Sequence, residues 1–135
     1  MSAARAGAFY FLIVFAAGFM LGAIRVFVVA PRLGETGAVV LELPVMLAVS
    51  WFTCGWLIAY MAAPHSKEAG AIMGLVAFAL LLAAEFALAR VGFGRSAAEY
   101  LSAFATPPGL IGLAGQIAFA LFPAIRLRGL ATPAG

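Results

Sequence analysis

Four stretches of about 20 apolar residues, each bounded by a turn signal, dominate this chain and leave few folds open to it. A helix rises about 1.5 Å per residue, so about 20 such residues cross roughly 30 Å of hydrocarbon. The stretches run from about Gly7 to Ala30, Gly37 to Ala62, Ala69 to Val91 and Gly109 to Leu127. Pro31, Pro64 and the Gly92-Phe93-Gly94 segment close the first three, Thr36 is placed to cap the second, and Thr106 with Pro107 and Pro108 opens the fourth. They are too long for single barrel strands and lack a period of two. The expected fold is therefore all-α: a single transmembrane domain over 1–135, with four transmembrane helices in an up-down-up-down bundle whose short connections make consecutive helices antiparallel neighbours.

Composition agrees. Apolar residues make up 66% of the chain and charged residues 10%, with a mean hydropathy of +1.14, more apolar side chain than a water-soluble core can absorb. The first stretch is expected to be a retained span and not a cleaved leader. Gly7 to Ile24 is 18 residues of apolar run, Arg25 follows it, and Pro31 would occupy the first mature position. The net charge of +3 comes from basic residues scattered at the ends of the stretches, which suits anionic headgroups and not nucleic acid. With both termini on one side, that side holds Arg5, Lys67, Arg126 and Arg128 and the other Arg32 and Arg95, a lean toward cytoplasmic termini.

Only one connection has content. Between Gly94 and Thr106, Ser96 and Glu99 stand at capping-box spacing, and Ala97, Ala98, Leu101, Phe104 and Ala105 form an apolar face, which predicts a short interfacial helix between spans 3 and 4.

Ionisable residues inside a span are costly, so their depth is informative. Counted along alternating helices, Arg25 lies roughly 27 Å from the start of span 1 and Glu85 roughly 24 Å into span 3. Glu42 lies five residues into span 2, and Gln116 roughly 10 Å into span 4. All four fall in the leaflet farther from the termini. Arg25, Glu42, Glu85 and Gln116 form the candidate intramembrane polar site, with Arg90 an outer candidate that is rotated about 140° from Glu85 and suited to snorkelling. One Arg and two Glu are satisfied by a bidentate Arg–carboxylate pair plus a second carboxyl protonated, paired with Arg90 or bonded to Gln116. A substrate or proton site and a neutralised network that merely fixes helix register both account for such a set. Gly18 and Gly22 continue the Arg25 face, Thr53 and Ser50 that of Glu42, Gly74 and Phe78 that of Glu85, and Gly109 and Gly112 that of Gln116.

Pro44 and Pro123 lie inside spans and free the carbonyls of Val40 and Phe119. Trp51 and Trp56 lie mid-span, where packing or lipid contact is expected, whereas Tyr10, Tyr60 and Tyr100 fit interfacial anchoring. Cys54, unpaired in an apolar run, reads as inert packing, and His65 as a solvated turn residue. No metal spacing, phosphate loop or catalytic triad is visible, so neither cofactor nor enzymatic activity is expected.

The stretch from Arg25 through Pro44, with Pro31-Arg32, Gly34-Glu35 and Glu42-Leu43-Pro44, together with Pro108-Gly109, Gln116 and Pro123, resembles short four-span bacterial inner-membrane proteins to which no function is attached. The likeness covers most of the chain and implies a multi-pass inner-membrane setting but no activity. In size and span count the chain is also similar to small multidrug exporters, in which a membrane-embedded Glu of the first span carries the coupling protons. Span 1 here holds no carboxylate. The expected function is a small accessory or assembly subunit of an inner-membrane complex, recruited through the faces of Gly18, Gly22, Gly109 and Gly112 by a protein partner or a second copy. A minimal proton-coupled transporter or channel using Glu42 and Glu85 with Arg25 is the alternative, and an intramembrane enzyme acting on a lipid or quinone the third.

Overall fold

A computed structural model describes residues 2–59, 66–92 and 94–131, the side chains of 128–131 apart. The described residues contain helix and turn and no strand. The elements are α1 (Ala3–Ile24), a π-helical turn (Arg25–Val29), α2 (Ala30–Ala59), α3 (Lys67–Ala87), a second π-helical turn (Leu88–Gly92), α4 (Ala97–Ala103) and α5 (Pro107–Ala131). Tyr60, the end of the second predicted span, Pro64 and His65 lie outside the described residues.

Three helical runs are long and apolar enough to cross a membrane: Ala3–Ala59, Lys67–Gly92 and Pro107–Leu127. The first has 57 residues, far more than about 20 needed for one crossing. It is not straight. Arg25 and Glu42 are 17 positions apart, which a straight helix would separate by roughly 25 Å. Yet their side chains meet at 3.3 Å, so the chain doubles back between them. The reversal occurs at Gly34, whose φ of 78° and ψ of 164° only glycine adopts without strain.

The expected stop at Pro31 is thus corrected by three residues. A proline withdraws a donor and crowds the preceding turn, but here the π-helical turn widens the helix just before it, and Ala30 N–H reaches back to Arg25 O. Pro31 enters the helical run without breaking it, and the bend falls to the glycine.

Helix caps follow local chemistry. Ser2 accepts from Arg5 N at 3.2 Å and Ser66 from Ala69 N at 3.2 Å. Both halves of the capping box form at α4: Glu99 N donates to Ser96 Oγ at 3.1 Å, and Ser96 N donates to Glu99 Oε1 at 3.3 Å. Thr106 Oγ1 accepts from Gly109 N at 3.2 Å as Pro107 opens α5.

The close helix pairs are α1 with α2, α1 with α3, α3 with α5 and α2 with α5. Hence α2 and α3, consecutive in the chain, occupy opposite corners of the bundle and are not the neighbours expected from a short connection. Small residues on α3 explain the order, because they let two backbones approach it. A Cβ added at Gly70 would lie 2.7 Å from Ala124 Cα, one at Gly74 would strike the Ala120 carbonyl of α5, and one at Gly7 of α1 would lie 2.6 Å from Met73 O.

The buried core sits at this glycine-packed end and includes Tyr10, Cys54, Leu57, Ile58, Met73, Ala77 and Leu127. Tyr10 corrects the interfacial expectation, being 0% exposed. Its ring stacks on Phe119 at 4.3 Å between centroids, and its hydroxyl donates to Phe119 O at 2.7 Å. That carbonyl is the one Pro123 leaves without an amide, so an otherwise orphaned backbone acceptor draws the phenol inward.

Candidate functional site

The other end of the bundle is open. The C-terminal part of α1 with the first π-helical turn, the middle of α2, the end of α3 and the middle of α5 surround a half-open cavity of about 450 Å³. Its walls are apolar, supplied by Phe15, Phe19, Leu43, Met46, Leu81 and Phe119 among others. Into these walls are set Arg25, Glu42, Ser50, Glu85 and Gln116, with Gly18, Gly22 and Gly112 also lining the space. The cavity therefore brings together Arg25, Glu42, Glu85 and Gln116, each contributed by a different segment of the chain.

Two pairs organise the polar groups. Arg25 Nη1 lies 3.3 Å from Glu42 Oε2, with side chains 34% and 16% exposed. The contact is single and falls short of hydrogen-bond alignment, in place of the expected bidentate fork, and Glu42 Oε2 is buried. Gln116 Nε2 donates to both oxygens of Glu85, at 2.6 Å and 2.7 Å. This leaves Gln116 Oε1 buried with no hydrogen-bond partner among the described residues. Beside the same space, then, Glu42 Oε2 has an ion-pair contact but no aligned hydrogen bond and Gln116 Oε1 has neither, a costly arrangement unless something bound supplies a donor.

Arg90 does not join the cavity. It lies exposed in the second π-helical turn, its guanidinium 6.0 Å from the centre of the Phe86 ring. Thr53, which shares the Glu42 face, lies beyond the lining, whereas Ser50 is within it and is only 3% exposed. Three helical turns from Glu42 to Thr53 overshoot the space that two turns to Ser50 fill. Ser50 Oγ donates to Met46 O at 2.8 Å, four residues back along its own helix.

Gly18 and Gly109, singled out in the sequence, have close neighbours inside the chain. A Cβ at Gly18 would lie 3.2 Å from Met46 Cε, and one at Gly109 would strike the Ala103 carbonyl, while Gly112 has open space beside it. Beside the Glu85 end of α3, α4 packs through Tyr100, whose ring meets Phe86 edge to face at 5.3 Å. Partial burial, with the Glu85 charge second, raises the Tyr100 hydroxyl above its ordinary range and keeps it neutral.

Sequence reasoning missed one part-buried cation. Arg126, read as a helix-end charge, lies over Trp51 with its guanidinium carbon 4.0 Å from the ring centre. Trp51 meets Phe122 edge to face at 5.1 Å. A Cβ at Gly55 would come within 2.7 Å of the guanidinium, so the glycine makes the notch. The signal was present as two pairs at i, i+4 spacing, Trp51 with Gly55 and Phe122 with Arg126, each marking one helix face.

No His, Cys, Asp and Glu group of the size needed to hold a metal ion occurs among the described residues. Comparison with protein-family models, with curated proteins and with solved structures finds no match to this chain.

Proposed function

We propose that this protein is a minimal proton-coupled carrier of the bacterial inner membrane, with four membrane-crossing helices threaded alternately, α4 lying in the interface and the termini in the cytoplasm. The observation that carries the reading is the apolar cavity with Arg25, Glu42, Glu85 and Gln116 in its wall. Alternate threading draws support from the contacts: along α1 and α2, Gly18 faces Met46 and Arg25 faces Glu42, so number rises in one helix as it falls in the other. The same reversal relates Gly70 with Ala124 and Gly74 with Ala120 in α3 and α5.

The solute is a small, mainly apolar molecule carrying a hydrogen-bond donor or positive charge. Apolar walls hold its body, and the donor meets the unsatisfied Glu42 and Gln116 oxygens. Glu85, bonded to a neutral amide, is the proton carrier, and Arg25 is the counter-charge beside Glu42. Protonation of Glu85 and arrival of the solute are then competing ways to neutralise one cavity.

The test is a proton flux. In proteoliposomes with an imposed pH gradient, Glu85→Gln and Glu42→Gln should each abolish solute-dependent proton movement while the protein keeps its elution profile. Flux unchanged in both variants ends this reading. The accessory-subunit reading rests on the glycine faces, and it draws less support because Gly18, Gly22 and Gly112 line the cavity and Gly109 packs on Ala103. Recovery of a stoichiometric partner in mild detergent would favour it. An enzyme acting on a lipid or quinone draws least, since the lining hydroxyl, Ser50, is engaged with Met46 O.

A further inference from the structure

Arg126 sits at the opposite end from the cavity, ten residues beyond Gln116 along α5, roughly 15 Å. Its surroundings do not balance it. Trp51 offers a ring face, Gly55 a notch and Phe122 a buttress, but no carboxylate among the described residues pairs with it, and its buried Nε has no hydrogen-bond partner. A partly buried cation without a counter-ion is costly, and the stacking answers only the face of the guanidinium, leaving its donor edge unanswered. The contacts of Gly7 with Met73 and Gly70 with Ala124 bring the starts of α1 and α3 to this same end, together with exposed Arg5 and Lys67. Against these described cations the end carries one acid, Glu68.

We propose that the Arg126 guanidinium, held between Trp51 and Gly55, is a binding site for a phosphate group, and that its occupant is the headgroup phosphate of an anionic phospholipid. The guanidinium fork matches paired phosphate oxygens, and its seat between Trp51 and Gly55 limits the freedom lost on binding. The end of α5 sets the site where a headgroup lies, and the neighbouring basic residues raise the local concentration of anionic lipid. The site is independent of the cavity and of any transport through it.

Binding is read at Trp51. In a Trp56→Phe background the purified protein carries a single indole, whose emission is followed during titration with mixed micelles containing phosphatidylglycerol, and with phosphatidylcholine, whose phosphate is already neutralised by its own choline cation, as the zwitterionic control. Phosphatidylglycerol should give a saturable shift that phosphatidylcholine does not, and Arg126→Gln should weaken it by roughly tenfold to a hundredfold, the loss of one charge-assisted pair. Gly55→Ala, which crowds the guanidinium off its seat while keeping the charge, should also weaken it, and Arg126→Lys should fall between. Soluble glycerol phosphate discriminates the source: failure to compete supports the lipid, whereas competition at equal phosphate concentration overturns the lipid as occupant. Equal response to both lipids, or a shift unchanged in both Arg126→Gln and Gly55→Ala, overturns the site.

Discussion

A proline inside a membrane helix leaves one carbonyl without its amide, and where no water reaches, another group must answer it. Pro123 and Tyr10 show how distant residues settle this. The phenol, 109 positions from the carbonyl it serves, is buried by that hydrogen bond and by stacking on Phe119. Tyr10→Phe keeps the stacked ring and removes the donor, and we expect a loss of about 1–3 kcal/mol in reversible unfolding from mixed micelles. In a Pro123→Ala background the amide at position 123 returns to the carbonyl, and the same change should cost much less; equal costs in both backgrounds would refute the pairing. The sequence made the orphan at Phe119 legible, since a proline names the carbonyl four residues back. It did not name the donor, because a tyrosine near the start of a span reads equally as an interfacial anchor. The cavity residues were more accessible to reasoning: depth follows from a fixed rise per residue, and counting brings Arg25, Glu42, Glu85 and Gln116 to a common level. Orientation around the helix axis is harder, and so Ser50 and not Thr53 enters the lining, while Arg126 was seen as a charge at a helix end and not as a guanidinium seated on Trp51.

Helices were the plainest thing in the sequence, since runs of apolar residues between prolines and glycines leave little choice of secondary structure. Their irregularities were not plain. A π-helical turn is a shift of hydrogen-bond register that needs no special composition, so Arg25–Val29 and Leu88–Gly92 carry no mark, and the bend moves from Pro31 to Gly34. Glycines raise a related difficulty, because in sequence Gly74 and Gly112 look alike. Their surroundings differ: a Cβ at Gly74 meets the Ala120 carbonyl, and one at Gly112 meets nothing within 4 Å. Gly74→Val should therefore force α3 from α5 and destabilise the bundle by about 1–3 kcal/mol or more. Gly112→Ala should not destabilise the bundle and should gain up to about 1 kcal/mol from helix propensity. Thermal unfolding in detergent separates them, and similar losses for both would show that α3 and α5 do not meet at Gly74.

At the scale of the molecule, the bundle order could not be read from connection length. Small residues on α3 draw in both α1 and α5, which sets α2 diagonal to α3. Alternate threading makes a prediction that packing alone does not: Glu35 beside the Gly34 bend and Lys67 at the start of α3 lie at opposite membrane surfaces. With Cys54→Ser removing the native thiol, only one of Glu35→Cys and Lys67→Cys should react with a membrane-impermeant maleimide on intact cells, and the other only after permeabilisation. Reaction of both from one side would dismiss the threading.

The contrast between a hollow upper half and a glycine-sealed lower half makes the molecule a cup and not a tube. Whatever settles in a cup leaves by the rim unless the floor parts, so the turnover of the proposed carrier would be governed at Gly7, Gly70 and Gly74, which bear no charge and lie outside the cavity lining. Loosening those seams would turn the proposed carrier into a leak.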